Sequence, residues 1–382
     1  MASAMERGGV AGAASSLAPL VTGAATDAEA ARALSDDVVA ALREAGLFRM
    51  LAPSAIGGGE VEPGEAYRAI EAISGAHGSA GWCVAVGATA GLIAAFLDES
   101  AAAEIAGSPE AISCGVFAPK GRAVESGGEL TVYGRWPLAS GVEHANWVGL
   151  GCLVESQEGP PAYRYAIVPR GEVEVIDTWR ALGLRATSSH DVAVEGAVVS
   201  LGRTTSLFTD RPRFDGPLYR FPVFGVLALS IAAVCTGIAR TALDSMLGLA
   251  GEKTPAGSRK KLAERPTTQA AIGEAEASLR AARSLVDEAI GLAWEQASER
   301  DEVDVERRLG LRLAATNAAR AGAAVTTTVH ELAGVSGVYE SSPLERAFRD
   351  VNVARRHLVV APGTDELAGR LLLGLDTDTT QL

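Results

Sequence analysis

Apolar residues change their spacing twice along this chain of 382 residues, and that change constrains the fold more than any single motif. In 1–112 they recur every three or four residues, which is the period of a helix. In 113–215 short β-prone runs alternate with Gly and Pro, which is typical of a small, mostly antiparallel β domain. In 216–382 the helical period returns in long segments. The sequence therefore predicts an α+β fold, mainly α: an N-terminal helical domain, a middle β-barrel or sandwich domain and a C-terminal four-helix bundle.

Individual elements can be placed within each region. The N-terminal helices are predicted at 27–45, 65–74 and 78–96. The strands are predicted at 130–133, 147–154, 163–168 and 191–195. The bundle helices are predicted at 222–250, 266–297, 303–333 and 343–357. Helices of this length joined by short loops favour an antiparallel bundle, and their apolar faces favour burial against other copies, so we expect a homo-oligomer, with a tetramer as the preferred assembly.

Composition argues against several classes of partner. The net charge of −13 argues against nucleic acid or an anionic membrane. Cys83, Cys114, Cys152 and Cys235 stand apart in apolar contexts without a CxxC or Cys/His pairing, so we expect reduced core cysteines and no metal site. No apolar run free of polar residues is long enough to span a bilayer, and no signal-peptide pattern is visible, so a location in the bacterial cytoplasm is expected.

The segment from Gly334 to His357 combines a Gly-rich turn, a helix start at Ser342 and Pro343, and several ionisable groups. The ionisable residues recur at spacings of three, four and seven, and they are Arg346, Arg349, Asp350, Arg356 and His357. Such spacing places several of them along one side of a helix, which indicates a ligand site or a subunit contact. A plain surface helix with internal ion pairs explains the spacing equally well.

Four segments, taken in order, resemble the acyl-CoA dehydrogenase-fold flavoproteins over nearly the whole chain. They are Pro53–Gly59, Gly134–Trp147, Trp179–Val194 and Tyr339–His357. In that family the second segment lies along the flavin, and the third is a strand-turn-strand signature. The resemblance implies the same three-part fold, with a flavin in the crevice between the β domain and the bundle.

Two departures from the dehydrogenases of this fold indicate a subgroup. Their Arg-x-x-Phe-Gly element, which helps to hold a resident FAD, has no Phe-Gly counterpart in 252–269, and their Thr-Glu-Pro stretch is replaced by Val116–Arg122. The chain is instead similar to the two-component flavin-dependent monooxygenases. That resemblance implies reduced FMN or FAD from a separate flavin reductase, reaction with O2 to a C4a-hydroperoxide, and oxygenation of an aromatic, polycyclic or amine-type small molecule.

The resemblance also implies roles for individual residues. The expected flavin-binding residues are Phe117, Leu138, Ala139, Ser140, Gly141, Thr187, Ser188, Ser189, Arg346 and Arg349. The expected substrate-binding residues are Trp82, Val86, Ala90 and His144. His357 is the expected proton donor or acceptor, because a histidine pKa lies near neutrality, and Ser140 is the expected catalytic contact to the flavin edge. Structural alternatives stay open: a turn for Ser140 and 187–189, ion pairs for the two arginines, and a helix-end role for His357.

Ala90 and Glu340 keep the function open. Phenol hydroxylases of this group place a histidine where this chain has Ala90, which favours a substrate that needs no deprotonation, or one that His357 deprotonates. Glu340 matches the α-proton base of acyl-CoA dehydrogenases, so an acyl-CoA or acyl-thioester dehydrogenase with FAD is the first alternative. A non-catalytic family member that serves as an assembly subunit is the second.

Overall fold

The computed structural model describes residues 9–155 and 160–382. Five helices precede the first strand: α1 (Gly9–Ala31), α2 (Asp36–Glu44), α3 (Pro63–Ala76), α4 (Gly78–Ile93) and α5 (Glu99–Ala106). The prediction of one helix over 27–45 was wrong, because Arg32 adopts a left-handed φ of 58° that ends α1. The chain then starts again at α2, where the Ser35 hydroxyl caps the helix by accepting from Val38 N–H.

Seven strands form one mixed sheet. They are β1 (Ser113–Ser126), β2 (Glu129–Ala139), β3 (Trp147–Val154), β4 (Ala162–Pro169), β5 (Glu174–Ile176), β6 (His190–Ser200) and β7 (Thr204–Thr205). Their order is β5-β6-β2-β1-β3-β4-β7. Only β1 and β3 pair in parallel, which confirms the mostly antiparallel prediction. In the described ranges, the predicted β domain consists of this single hydrogen-bonded sheet.

Six helices follow the sheet. They are α6 (Pro217–Arg220), α7 (Val223–Glu252), α8 (Pro266–Glu299), α9 (Val305–Ala333), α10 (Pro343–Ala354) and α11 (Gly363–Leu372). The four predicted bundle helices correspond to α7 through α10. The prediction that the last of them runs to His357 was wrong: Arg356 N–H bonds back only three residues, to Val353 C=O, which tightens the final turn. His357 thus lies beyond α10, where it precedes a short 3-10 turn over Leu358–Val360.

The two helical regions share one hydrophobic core, whereas the sheet has a core of its own. Leu42 of α2, Ile70 of α3 and Leu311 of α9 belong to the first core. Trp136 and Val192 belong to the second, and the Trp136 indole N–H is satisfied there by a backbone carbonyl. The limits at 112 and 215 follow the order of the elements, and as domain boundaries they stay a prediction.

Two core helices are apolar enough, by length and composition, to cross a membrane: α4 extended to Phe96, and α7. Both contain polar residues, such as Thr89 in α4 and Thr236 in α7, so the expectation that no run free of polar residues is long enough still holds. In both helices 83% of the most apolar window is buried inside the protein, so their apolar surface is used in the core. The four cysteines are free and buried, as predicted, and burial raises the pKa of the Cys235 thiol to about 12.

The turn that follows β5 lies against α10, and this contact joins the sheet to the bundle. Leu184 N–H donates to Asp350 Oδ1 at 2.6 Å. Arg349 Nη1 donates to the Leu182 carbonyl at 3.0 Å. Gly183 approaches the Arg349 carbonyl so closely that a Cβ at this position would overlap it, so only glycine fits. We call these contacts the seam.

Charged groups buried at the seam balance one another. Burial by itself lowers the pKa of Arg349, but Glu345 at 2.5 Å and Glu29 at 2.6 Å raise it above its ordinary value. Burial raises the pKa of Asp350 to about 7 and lowers that of His77 to about 4. Ligand atoms of Glu29, His77 and Asp350 lie within 4.8 Å of one another, but the adjacent guanidinium of Arg349 disfavours a cation there.

The substitution Asp350→Asn should isolate the stability contribution of this carboxyl. The amide oxygen can still accept from Leu184 N–H, but the titration is lost. Because the folded-state pKa of about 7 exceeds the ordinary value of 3.8, the folded protein holds this proton more tightly, and its stabilising contribution is lost as pH rises through that interval. The unfolding free energy of wild type minus variant should fall by about 2–4 kcal/mol between about pH 4 and 7.

Urea unfolding at a series of pH values measures this difference. Asp365→Asn is the matched control, because Asp365 is a carboxylate of α11 that pairs with Arg320 near the surface. Its wild-type-minus-variant difference should change little over the same range. A pH-independent difference for Asp350→Asn would show that the carboxyl titrates alike in the folded and unfolded states.

Candidate active site

A cavity of about 1000 Å³ opens between the sheet and the bundle. Its wall is built by α4, the irregular middle of β1, the end of β2, the seam turn, α7, α9 and the chain that follows α10. Apolar side chains supply most of this wall, and its aromatic members are Trp82, Phe117, Tyr163, Trp179, Phe208 and Phe224. The volume lies at the upper end of the range for small-molecule sites, so a large ligand or two smaller ones can be enclosed.

A directional chain of hydrogen bonds runs along one wall of the cavity. Trp82 Nε1–H donates to Ser140 Oγ at 2.9 Å, and Ser140 Oγ lies 2.7 Å from Ser189 Oγ. Ser189 Oγ lies 2.6 Å from Thr187 Oγ1, whose proton goes to the Leu184 carbonyl at 2.9 Å. Since Thr187 has given its only proton, Ser189 must donate to Thr187, and Ser140 must donate to Ser189. Ser140 Oγ keeps one free lone pair, so toward a ligand it can act only as an acceptor.

The backbone at the end of β2 is bent in a way that exposes this oxygen. The pairing of β2 with β6 shifts register between Trp136 and Ala139, and Leu138 in this interval has a left-handed φ of 67°. Gly141 N–H then donates to the Thr187 carbonyl at 2.7 Å. As a result Leu138 is 58% exposed at the cavity wall, whereas Ala139 is fully buried in the sheet core. The left-handed backbone of Leu138 is strained, and the surrounding contacts hold it in this conformation.

His357 stands opposite this chain of hydroxyls, across the Trp82 ring. The two rings meet edge to face with centroids 5.6 Å apart. His357 is accessible from the cavity but surrounded by protein, and this enclosure lowers its pKa to about 4, so the imidazole is neutral at neutral pH. Val359 N–H donates a long hydrogen bond of 3.4 Å to Nδ1. Nε2 is then the nitrogen that carries the hydrogen, an assignment made from this bond.

The structure brings half of the predicted site residues to the cavity. Those that line it are Trp82, Val86, Phe117, Leu138, Ser140, Thr187, Ser189 and His357. Those that it does not bring to the wall are Ala90, Ala139, Gly141, His144, Ser188, Glu340, Arg346 and Arg349. Any role of the second group in binding a ligand stays a prediction.

Structural contacts account for several residues of the second group. Ser188 Oγ donates to the Arg32 carbonyl at 2.9 Å, where it closes the end of α1. His144 packs against the Phe48 ring, with centroids 5.8 Å apart. Glu340 is exposed in the turn before α10. For the two arginines the ion-pair alternative matches the structure at Arg349, whose guanidinium is bound between Glu29 and Glu345.

Arg346 is engaged elsewhere as well. Its Nη2 donates to Thr26 Oγ1 of α1 at 3.2 Å. Together with the Arg349 ion pairs, this contact fixes α10 to the N-terminal helices. The crowded polar side of α10 thus faces another part of the same chain.

Several cavity residues were missed by the sequence analysis. They are Tyr163, Trp179, Phe208, Phe224 and Arg312, whereas Arg356 was noted for its spacing but given no individual role. Trp179 and Arg356 lie inside the segments that carry the family resemblance, next to residues that were predicted. Arg312 gave a weaker signal, because it is one of four arginines in an alanine- and leucine-rich helix, and such residues are usually part of a solvated face.

Comparisons with known proteins agree with this geometry. Residues 229–362 match the family model described as acyl-CoA dehydrogenase, C-terminal domain. The chain is 35% identical over 344 residues to indole-3-acetate monooxygenase of Pseudomonas putida, covering 90% of this chain and 88% of that protein. It is 30% identical over 381 residues to the oxygenase component of an FADH2-dependent resorcinol hydroxylase of Rhizobium sp., covering 94% and 93%.

The fold is shared with a solved relative. The crystal structure of 3-HSA hydroxylase from Rhodococcus sp. superposes with a TM-score of 0.90 at 28% identity, covering 96% of this chain and 97% of that one. The agreement therefore includes both the sheet and the bundle. The chain belongs to the flavin-dependent monooxygenases of the acyl-CoA dehydrogenase fold, the oxygenase components of two-component systems.

Proposed function

We propose that this protein oxygenates a small aromatic molecule, using O2 and reduced FMN or FAD delivered by a separate flavin reductase. When bound, the reduced flavin activates O2, so that one oxygen atom enters the substrate and the other leaves as water. The observation that carries this proposal is the pair of polar groups that Trp82 joins in a mostly apolar cavity. Ser140 can only accept a hydrogen bond, and His357 Nε2 can donate one.

The cavity residues fit a reduced flavin. A reduced isoalloxazine carries an N–H at its central ring, and the free lone pair of Ser140 suits such a donor. Phe117 and the exposed Leu138 offer apolar surface for the rings, and Thr187 and Ser189 would border the polar edge. The volume of about 1000 Å³ leaves room for a second small molecule beside the flavin. The apolar wall excludes water from the reacting oxygen.

In this proposal His357 holds a proton at Nε2 and directs it toward the oxygen atom that is transferred. Its pKa of about 4 keeps the ring neutral, so it donates a hydrogen bond without bringing a full charge into the cavity. The edge-to-face contact with Trp82 fixes the plane of the imidazole. Trp82 also donates to Ser140, so a single indole positions both polar groups.

The dehydrogenase alternative has less support. It requires a carboxylate base beside the flavin, but Glu340 is exposed and lies outside the cavity wall. An acyl-CoA dehydrogenase also acts on a saturated chain, whereas this cavity is lined by aromatic rings. The open cavity gives no support to an assembly subunit without catalysis.

The class of substrate is proposed from the wall and from the relatives. Their names specify indole-3-acetate and resorcinol, both aromatic, and the aromatic wall of this cavity suits a ring. The sequence of α4 contains no histidine, so this helix offers none to deprotonate a phenol. We also propose that the protein is a homo-oligomer, preferably a tetramer, because exposed leucines such as Leu358 (79%) and Leu372 (78%) form surface that another copy could cover. The location that we propose for it is the bacterial cytoplasm.

Ser140→Ala should shorten the delay before the protein-bound reduced flavin returns to its oxidised form after mixing with O2. Mixing the complex of protein and reduced FMN with O2 should return oxidised-flavin absorbance more slowly than free reduced FMN does. The variant should lose about 2–10-fold of that delay, the value of one hydrogen bond, and release more H2O2. Ser188→Ala, which removes a buried hydroxyl away from the cavity, should keep the wild-type delay. No delay in the wild-type protein would contradict the proposed function.

His357→Ala should separate O2 consumption from product formation. Loss of a positioned proton donor should reduce product formation by about 10²-fold, while reduced flavin and O2 are still consumed and appear as H2O2. His330→Ala is the control, since His330 stacks on Phe348 outside the cavity, with ring centroids 4.5 Å apart. Unchanged coupling in His357→Ala would remove His357 from the mechanism.

The protonation state of His357 can be measured directly. Its imidazole signals in an NMR titration should shift only below about pH 5, because the pKa is about 4. The coupling of product to O2 should accordingly show no transition from His357 between about pH 6 and 8. A transition near the ordinary histidine pKa of about 6.5 would contradict the neutral, enclosed imidazole described here.

A further inference from the structure

We propose that Arg312 binds a carboxylate of the substrate, so that the substrate is an aromatic acid. This inference rests on the proposed function, because it assigns the substrate class of the same cavity. It starts from a guanidinium that lines the cavity, is 8% exposed, and has no acidic partner in the described part of the chain.

The missing counter-charge distinguishes Arg312 from Arg349, the well-buried arginine of the seam. Arg349 is held between Glu29 and Glu345. For Arg312, no carboxylate of residues 9–155 or 160–382 lies within the 4.0 Å of an ion pair. Burial lowers its pKa, and no carboxylate offsets that effect. A buried charge without a partner is costly, so a ligand that brings a negative charge is strongly favoured.

The contacts that Arg312 does make orient it without neutralising it. Nη1 donates to the Gln381 carbonyl, and Nη2 donates to the Val359 carbonyl at 3.1 Å and to Thr364 Oγ1 at 3.4 Å. Nε has no partner in the described structure. All these acceptors are neutral, so they fix the planar fork and leave its charge uncompensated. These contacts leave one hydrogen of Nη1 without an acceptor, and a carboxylate oxygen suits it in charge.

Arg312 is connected to the proposed reaction site through one residue. Val359 C=O accepts from Arg312, while Val359 N–H donates to His357 Nδ1 at 3.4 Å. The turn after α10 thus joins the anion-binding group to the proton-donating group. The cavity that Arg312 lines also includes Phe224, Leu227 and Leu367, and this apolar surface suits an aromatic ring. A ring that carries its carboxylate on a short arm would satisfy both ends.

Two other charged residues line the cavity, but neither has the same need of a ligand. Arg356 is exposed, so water can solvate its guanidinium. Asp378 is exposed too, and its Oδ1 accepts from Thr380 N–H at 2.9 Å. Only Arg312 combines burial with an uncompensated charge among the cavity residues of the described structure. The assignment therefore falls on Arg312.

A matched pair of ligands tests the charge requirement. Naphthalene-1-acetate and naphthalene-1-acetamide have nearly the same shape and differ by one negative charge. Isothermal titration of the flavin-free full chain should show at least about tenfold tighter binding of the acetate, the value of a charge-assisted pair in an apolar site. Equal affinities, tighter binding of the amide or no binding of the acetate would overturn the proposal.

Substitution assigns the preference to the residue. Arg312→Gln keeps hydrogen-bond donors and removes the charge, so it should bind both ligands with similar affinity. Arg320→Gln is the control on the same helix, since Arg320 is already paired with Asp365, and it should keep the wild-type preference. If Arg312→Gln retains the preference, the proposal fails. Should that variant not fold in a thermal melt, Arg312→Lys, which keeps the charge and loses the fork, should show a reduced preference for the acetate, and an unchanged preference would count against Arg312.

This measurement is independent of oxygen transfer. Tight acetate binding with no delay in flavin oxidation would leave Arg312 as an anion site and refute the proposed function. A measurable delay with no preference for the acetate would support the proposed function and refute the role of Arg312. The two ideas can therefore fail separately.

Discussion

One backbone unit, that of Leu184, carries the contacts on which the cavity depends. Its N–H is held by Asp350 of α10, and its carbonyl accepts from both Thr187 Oγ1 and Trp179 Nε1, the latter at 3.0 Å. Leu184 itself has a left-handed φ of 51°, which costs about 1–2 kcal/mol for a side chain of this kind. The seam supplies the bonds that hold it there, so the bundle determines where the sheet's turn can present its hydroxyls.

The direction of the hydroxyl chain follows from that anchor. Because the Leu184 carbonyl takes the last proton, each hydroxyl up to Ser140 has only one way to donate. In a cavity with few polar groups such an ordered chain is stronger than it would be in water, since the local dielectric constant is low. The same environment keeps His357 neutral and leaves Arg312 in need of an anion. The three polar groups differ in kind: an acceptor, a donor and a cation.

Local sequence patterns predicted the structural elements that are determined by residues close together in the chain. The periods of α8 and α9 are long and regular, so these helices were placed within a few residues. The break at Arg32 was invisible, because a left-handed arginine is selected by packing against the 187–189 turn and has no local signal. Similarly, α10 was extended to His357 since nothing in the sequence shows where its last turn tightens.

The site residues likewise fall into those that the sequence could identify and those that only the folded chain reveals. Ser140, Thr187, Ser189 and His357 were accessible through the family resemblance, and they do meet at one cavity. For Arg349 the sequence left flavin binding and an ion pair both open, because its partner Glu29 is 320 residues away in sequence. Arg312 could not be found from the sequence, since its significance lies in what is absent around it, and only the folded chain reveals which carboxylates come near.

Gly183 has a consequence for changing the range of substrates. Its Cα touches the α10 backbone with no space for a methyl group, so the wall formed by the seam turn cannot be moved without separating two layers of the molecule. The opposite wall is made of side chains such as Val86, Leu227 and Leu367, which project from helices and can be shortened at the price of local packing alone. Directed evolution toward bulkier rings should therefore succeed on the helical wall and stall on the turn.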